Sequence, residues 1–415
     1  MNKSTRFRDR IRAFANPQAM SVDDFLHELS LANQSDSGSA VNESTAMKVG
    51  AFFAAVRVLT ESIASLPLEV YRRLEGGGKE RATEERIYNL LHSQPNSWQT
   101  SFEFRELLTY HLIMRGNAYA YKSRAGGVVR ELIPINPDQV VVEQDANYRL
   151  TYKFIPAERS KIPVLLTQED VVHIRGLSID GVTGVSLLTW GREVIGGALG
   201  QQKHGNRLWK NGANPGMALM HPQTLSENAH KRLRESFDQR YSGSDNAGKT
   251  LIVEEGMKIE RLSMTNDDAQ FLESRKFSRS EISGITRVPP HMIGDLERAT
   301  FSNIEHQDLA FVKHALRPWL VRWEQALTRD LFRGSDLLPE FNVDGLARGD
   351  LKSRYQAYAI GRNWGWLSAN DIREKENLNP IEGGDEYLHP LNMQPVGEEV
   401  PDGLKSNPES GGGKE

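Results

Sequence analysis

The sequence predicts an α+β fold, and three observations carry that reading. Between residues 68 and 175, short β-patterned runs alternate with turn residues and one helical stretch. Helical periodicity then governs 185–211, 266–287 and 302–332. A short strand–helix–hairpin pattern at 212–263 is inserted between the first two of those helices. A chain of 415 residues has room for two to three units of ordinary domain size.

Residues 30–43, SLANQSDSGSAVNE, have linker composition, so order is expected from Ser44. Val49, Phe52, Phe53, Val56, Leu59, Ile63 and Leu66 form the apolar face of a first helix, ended by Pro67. LEVYRR reads as a strand and Gly76-Gly77-Gly78 as a turn. Thr100 and Glu103 form a capping box for a helix that stops at Gly116. AYAYKSR and VVRELIPI, joined by Gly126-Gly127, read as a hairpin; VVVEQD, RLTYKFI and VVHIRG continue as strands.

A helix is expected over 185–211 despite Gly191, Gly196, Gly197, Gly200 and Gly205, each costing about 1 kcal/mol relative to alanine. Such glycines allow another backbone to approach. GMALMHP reads as a strand, Ser226–Tyr241 as a charged helix, and TLIVEE with KIERL as a hairpin around Gly256. The next helix, capped at 265–268, carries charge on nearly every side and few apolar residues (Phe271, Leu272, Ile282, Ile285). A helix so polar suits a surface shared with like subunits or one lining water. Pro289-Pro290 keeps the chain extended, and Ser302 with Glu305 reads as the capping box of a long helix. Its apolar face is Ile304, Leu309, Val312, Leu316, Trp319, Trp323, Leu327 and Leu331, with a kink expected at Pro318. Two helices follow, Asp350–Arg362 and one signalled by Ser368; the tail after Gly397 has disordered composition.

Composition excludes several classes. There is no cysteine, so disulfides and thiolate metal sites are ruled out. The balance of 51 basic against 55 acidic residues, net −4, is unlike that of a sequence-reading DNA-binding protein. No run of 18 apolar residues exists, and MNKSTRFRDRIRAF lacks the apolar core of a signal peptide, so no membrane association is expected and this segment reads as a mobile arm. No GxSxG or HExxH occurs, acid pairs such as Asp267-Asp268 read as caps and turns, and the histidines read as solvated or interface groups. No catalytic residue, metal ligand or cofactor is expected.

Two motifs need weighing. Gly243-Ser-Asp-Asn-Ala-Gly248-Lys249-Thr250 matches a phosphate-binding loop literally, but that chemistry needs a strand before the loop and a helix after it. Here LRESFDQRY precedes and TLIVEE follows, which reads as a plain turn. His204, Arg207, Trp209 and Lys210 interleave basic and aromatic groups as a single-strand binder would, yet a helix C-terminus explains them without a ligand and is the preferred reading.

The word order VPPHMIG…ATFSNIEHQDLAF…LRPWL closely resembles the portal proteins of tailed bacteriophages, of the type found in lambdoid long-tailed phages and prophages. RGNAYAY (115–121), DGVTGVSLL (180–188), NGANPGMAL (211–219), NAGKTLIVEEGMKIERL (246–262) and LSANDIREKENLNPIEGGDEYLHPLN (367–392) continue the resemblance in order, over roughly Val49 to Pro395. The resemblance implies a phage portal fold: a mixed α/β wing, a two-helix stem, a small α/β clip inserted in the stem, and a helical crown. Mapped onto this chain it gives an arm at 1–43, wing at 44–184, stem helix at 185–211, clip at 212–263 and second stem helix at 264–287. A tunnel loop at 288–301, a long kinked wing helix and return at 302–344, a crown at 345–396 and a tail at 397–415 complete it.

The implied function is a ring, a dodecamer in mature particles, at one capsid vertex of the virion, assembled in the host bacterial cytoplasm. Implied partners are the terminase large subunit, the major capsid or scaffold protein, a head–tail adaptor, and double-stranded DNA passing without sequence preference. Met292, Ile293, Asp295, Leu296, Glu297, Arg298 and Thr300 would border the channel, and Arg232, Arg234, Glu235, Arg240, Asp245 and Lys249 would face the motor or adaptor. A nucleotide-hydrolysing packaging enzyme, resting on 243–250, and a capsid-associated scaffold without a pore are the alternatives.

Overall fold

A computed structural model describes residues 35–156, 163–210, 217–220, 224–241, 257–261, 267–297, 301–343, 351–376 and 378–388. The chain divides into two units, Met1–Asn342 and Val343–Glu415.

The first unit opens on α1 (Glu43–Ala46) and α2 (Gly50–Ser65). A short helix thus precedes the expected one, and Asn42 caps it: its side chain accepts from Thr45 N–H at 2.9 Å, and the Thr45 hydroxyl accepts from Asn42 N–H at 2.8 Å. Beyond α2, β1 (Leu68–Arg73) and β2 (Lys79–Arg81) form a hairpin, and α3 (Arg86–His92), which the sequence did not signal, precedes α4 (Ser101–Arg115). The Thr100–Glu103 box and a left-handed Gly116, φ 77°, bound α4 as expected. α2 packs on α4 through Phe52, Val56, Leu59 and Ile63 against Leu108 and Leu112, all buried. Each such side chain contributes about 1.5–3 kcal/mol by leaving water. Arg105 lies in this interface and is 5% exposed; it donates to Ala64 O at 2.8 Å and Leu91 O at 3.1 Å, and burial lowers its pKa to about 10.

Two three-stranded sheets follow. β3 (Asn117–Ala125) is central between β4 (Val128–Ile135) and β8 (Val171–Arg175); β6 (Leu150–Phe154) is central between β5 (Val140–Gln144) and β7 (Val164–Thr167). β7 has too short an apolar run to stand out in sequence. Tyr119, Ile135, Leu150, Tyr152, Leu166 and Val171 join the sheets in one core. His173 belongs to this core at 1% exposure, which corrects the reading of the histidines as solvated. Its ring nitrogens meet Asn117 Oδ1 at 3.0 Å and Tyr152 Oη at 3.3 Å, so polar partners make its burial tolerable.

That burial has a pH consequence. Burial, then the nearby Arg175 and Arg329, holds the His173 pKa well below the ordinary value; burial takes His111 down to about 4. The unfolded chain, with histidines near about 6.5, therefore takes up protons first as pH falls. Stability is fully present above about 6.5 and is lost as pH falls from there toward the folded values. Urea midpoints should be lower at about pH 5 than at about pH 7.5, and equal midpoints would refute this.

The expected helix over 185–211 is two helices, α5 (Leu187–Trp190) and α6 (Arg192–Lys210). Gly191 closes α5, its N–H bonding Leu187 O at 2.7 Å. The expected linker is also structured from Ser35 onward. Val41 is 2% exposed, Ser37 Oγ donates to Gly196 O at 2.8 Å, and Asp36 N–H donates to the Glu193 carboxylate at 2.9 Å. A side chain at Gly196 would meet Ser35 Oγ at 2.1 Å, so this glycine makes room for the side chains of Ser35 and Val41 rather than for another backbone.

β9 (Met217–Met220), α7 (Glu227–Tyr241), β10 (Lys258–Arg261) and α8 (Asp267–Thr286) come next. β10 pairs antiparallel with β9, Lys258 opposite Met220. TLIVEE, its expected hairpin partner, lies outside the described residues. α8 packs against α6 and α2 through Ile282, Ser278 and Thr286, all buried, and Ser278 Oγ donates to Gln201 Oε1 at 2.9 Å. Two of these three buried side chains are polar, so the helix does join a core, through a partly polar contact among the described residues.

α9 (Phe301–Ala310) and α10 (Arg317–Leu331) are joined by a π-helical turn, Phe311–Leu316. Ser302 is inside α9 rather than its cap. Just before Pro318, where a kink is expected, lies this wide turn, in which Arg317 N–H reaches Val312 O, five residues back. The extra residue shifts the helix phase. Phe311, Leu316, Leu320, Trp323 and Leu327 are buried, whereas Leu309, expected on the core face, is 65% exposed. β11 (Leu337–Phe341) then pairs antiparallel with β1, Phe341 opposite Leu68.

In the second unit, α11 (Leu351–Asn363) and α12 (Ala369–Lys375) match the expected pair, with Ser368 and Asp371 in a capping box. Arg354 pairs with Glu376 at 2.8 Å, and the Asn370 side chain meets Ile381 N and O at 2.9 and 3.0 Å.

Candidate functional site

Two quoted segments, RGNAYAY and DGVTGVSLL, meet where β3 begins and the chain turns toward α5 and α6. Gly116 O accepts from Gly176 N–H at 2.8 Å, and Asn117 Oδ1 accepts from Gly184 N–H at 2.8 Å while its Nδ2 donates to Gly184 O at 3.0 Å. A Cβ on Gly184 would stand 1.9 Å from Gly116 O, so the two backbones touch. Asp180 shapes the approaching loop by accepting from Val182 N–H at 2.8 Å and Thr183 N–H at 2.7 Å; the Thr183 bond first, with its neighbours, holds the carboxyl well below the usual range. Ser186 Oγ donates to Met114 O at 2.5 Å, and Arg322 of α10 donates to Gly176 O at 2.6 Å. Four parts of the chain (α4, β8, α10 and the start of α5) are thereby locked at one point, which orients the α5–α6 arm. No single segment's pattern signals this junction; only the shared Gly-Asn and Gly-Val chemistry hints at it.

The second site is the turn between α8 and α9. Arg287 leaves α8 with φ 59°, Val288 is fully buried, and Ser283 Oγ donates to Val288 O at 2.6 Å. Pro289 remains extended, but Pro290–Ile293 forms one turn of 3-10 helix, closed by Gly294 at φ 86°. That corrects the expectation that both prolines keep the chain extended: Pro290 at a first helical position loses no hydrogen bond. Asp295 N–H donates to Pro290 O at 2.9 Å, and His291 bridges to α9 through Gln307 at 2.9 Å and Asp308 at 2.9 Å. The turn is thus held at both ends.

The channel-bordering candidates divide within this turn. Ile293 is 8% exposed and points inward, so it presents nothing to a channel in this structure. Met292 and Asp295 are half-buried. Leu296 is 65% exposed at the tip, and Glu297 pairs with Lys276 of α8, whose pKa is raised by that bond. Arg298 and Thr300 lie outside the described residues. Of the motor-facing candidates, Arg232, Arg234 and Glu235 are exposed on α7, and Arg232 Nε donates to Asn228 O at 3.2 Å. Arg240 lies on α7 with its side chain undescribed; Asp245 and Lys249 lie outside the described residues, as does the whole of 243–250. Around that segment, α7 precedes and β10 follows, the reverse of a phosphate-binding arrangement. Lys249→Ala should therefore leave assembly unchanged and abolish no nucleotide binding. A wild type that binds ATP and a variant that does not would overturn this.

Among the described residues no cluster of His, Asp and Glu could hold a metal ion, and no helix is long and apolar enough to cross a membrane. The mixed α+β unit, its locked junction and its tethered turn define a structural subunit. The chain belongs to the phage portal protein family, whose pattern it matches over residues 50–377. As such it is a structural component of the virion and not an enzyme. It is 34% identical over 380 residues to the probable portal protein of Streptomyces phage phiC31, covering 88% of this chain and 82% of that one. It is 28% identical to the portal protein of Enterobacteria phage HK97, over 86% of this chain and 85% of that one. Its fold resembles a chain from the neck of an empty GTA particle with C6 symmetry, at TM-score 0.57, 22% identity, and coverage of 81% and 93%. The neck of the native GTA particle, with C12 symmetry, gives TM-score 0.55 at 22% identity, with coverage of 85% and 99%.

Proposed function

We propose that this chain assembles into a ring of twelve at one capsid vertex and serves as the conduit for double-stranded DNA during packaging and ejection. The same ring is the docking site for the terminase motor and the head–tail adaptors. The observation that carries this reading is α8, a charged helix of 20 residues whose buried side chains among the described residues are Ser278, Ile282 and Thr286, in a chain of the portal family. Its remaining surface needs a neighbour or water. The C12 neck chain of similar fold supports the subunit number.

In this reading the sheets and α1–α4, with α9 and α10, form the wing, and α6 and α8 the stem. β9, α7 and β10 form the clip, the Pro289–Gly294 turn begins the tunnel loop, and the second unit is the crown. A conduit must not grip. DNA carries one charge per about 1.7 Å, so a strongly basic ring would retain it. Twelve copies of a chain at −4 carry about −48, a field that repels phosphate within a Debye length of about 8 Å. Exposed Leu296 can touch a moving duplex without reading bases.

Negative-stain images and sedimentation of the purified chain test this together. Rings with a central hole are expected. A strictly monomeric species across micromolar concentrations, with and without the capsid or scaffold protein, would sink the proposal, as would closed discs without a hole.

A further inference from the structure

We infer that α8 is the seam between neighbouring subunits: its acidic, aromatic edge enters a basic cleft on the next copy. This rests on the ring reading above and specifies the surface that closes it.

The basic side is a cleft of about 420 Å³ between the start of α2, α6 and α8, lined by Lys48, Gln201, Gln202, Arg275, Ser278 and Arg279. Neither Lys48, Arg275 nor Arg279 forms an ion pair among the described residues, and no acidic side chain lines the cleft. The opposite edge of α8 carries Glu273, Phe277 and Glu281, four apart and therefore stacked along one line. Phe277 is 64% exposed, and neither glutamate is ion-paired among the described residues. Elsewhere on this helix, Lys276 is already satisfied by Glu297 of its own chain.

Geometry joins the two halves. At about 100° per residue, Arg275 and Arg279 lie about 40° apart, and the Glu273–Phe277–Glu281 line is centred about 180° from them. A head-to-tail ring requires this disposition, because each copy offers one surface and receives on the opposite one. A two-fold dimer would instead bring like edges together. The occupant is a second copy by charge complementarity: two carboxylates flank a phenyl ring, and the cleft offers cations around a space that can hold it. Gly284, on the same outer side and with open space around it, lets the neighbour come close at the C-terminal end of the seam.

Charge exchange tests this. Arg275→Glu/Arg279→Glu makes both edges acidic, and Glu273→Arg/Glu281→Arg makes both basic. Each protein alone should lose ring formation, with association about tenfold weaker or more, because like charges then face each other. Mixed in equal amounts they should form rings again, with the two proteins alternating at one-to-one stoichiometry by native mass spectrometry. The fourfold variant, with edges exchanged, should also assemble. Rings from either double variant alone, as abundant as wild type, would overturn the seam; so would a folded mixture that stays dispersed. Should a reversal disturb folding by circular dichroism, Arg275→Gln/Arg279→Gln and Glu273→Gln/Glu281→Gln replace it. Each must then weaken ring formation relative to wild type, and wild-type levels reject the assignment. A wild type that forms no ring at all refutes the ring reading itself, whereas wild-type rings with indifferent variants refute only the seam.

Discussion

Replacing Gly184 with alanine is expected to remove most of the stability of the first unit. The new Cβ would lie 1.9 Å from Gly116 O, 2.7 Å from Gly176 N and 2.9 Å from Gly116 C, and all three are backbone atoms that cannot rotate away. Relief requires separating β3 from the loop that leads to α5, which breaks the Asn117 side-chain bonds to Gly184 and the Gly176–Gly116 bond. Overpacking of this kind costs about 3 kcal/mol or more, and the lost hydrogen bonds add about 1 kcal/mol each. Domains are stable by only about 5–15 kcal/mol, so soluble yield should fall sharply and the urea midpoint should drop. Gly181→Ala is a useful contrast. Its φ of 74° strains the chain, but open space surrounds it, so the loss should be much smaller. Equal midpoints for Gly184→Ala and wild type would mean that the junction is looser than these distances indicate.

Deleting residues 295–299 should have a large effect of the opposite kind, on DNA and not on folding. The segment follows Gly294, where the 3-10 turn is already closed by its own backbone, and His291 is anchored to α9 independently of it. Removing it costs the exposed Leu296, the Asp295 N–H bond to Pro290 O, and the Glu297–Lys276 pair, a surface ion pair worth about 1 kcal/mol or less. Rings should form at wild-type yield, while particles carrying the deletion should retain or complete far fewer genomes. Loss of rings, combined with normal DNA content in whatever particles remain, would make the segment structural. That result would end its assignment to the channel.

Much of the secondary structure was legible because its signals are local. Thr100 with Glu103, Ser368 with Asp371, Gly116 and the Gly126-Gly127 turn each act through neighbours within a few residues, and the structure places them as expected. What sequence did not reveal depends on partners far along the chain. Ser35–Val41 has linker composition, yet its small residues are what let it lie against Gly196. His173 looked like any polar residue until Asn117 and Tyr152 were brought to its ring. β11 was hidden because five residues after a helix carry little pattern until β1 pairs with them. For the candidate site, the exposed tip at Leu296 was legible from Gly294 and the prolines. The inward turn of Ile293 was not, because it depends on α2 being there to receive it.

The wide turn at Phe311–Leu316 makes the long helix a coupling more than a beam. One surplus residue clocks Phe301–Ala310 by about 100° relative to Arg317–Leu331. The two halves therefore face different compass bearings: the later half grips the core with Trp323 and Leu327, while the earlier half holds Leu309 outward and takes His291 through Gln307 and Asp308. The Pro289–Gly294 turn is thus tied to a half of the helix whose facing is set one residue out of step with the half that holds the core.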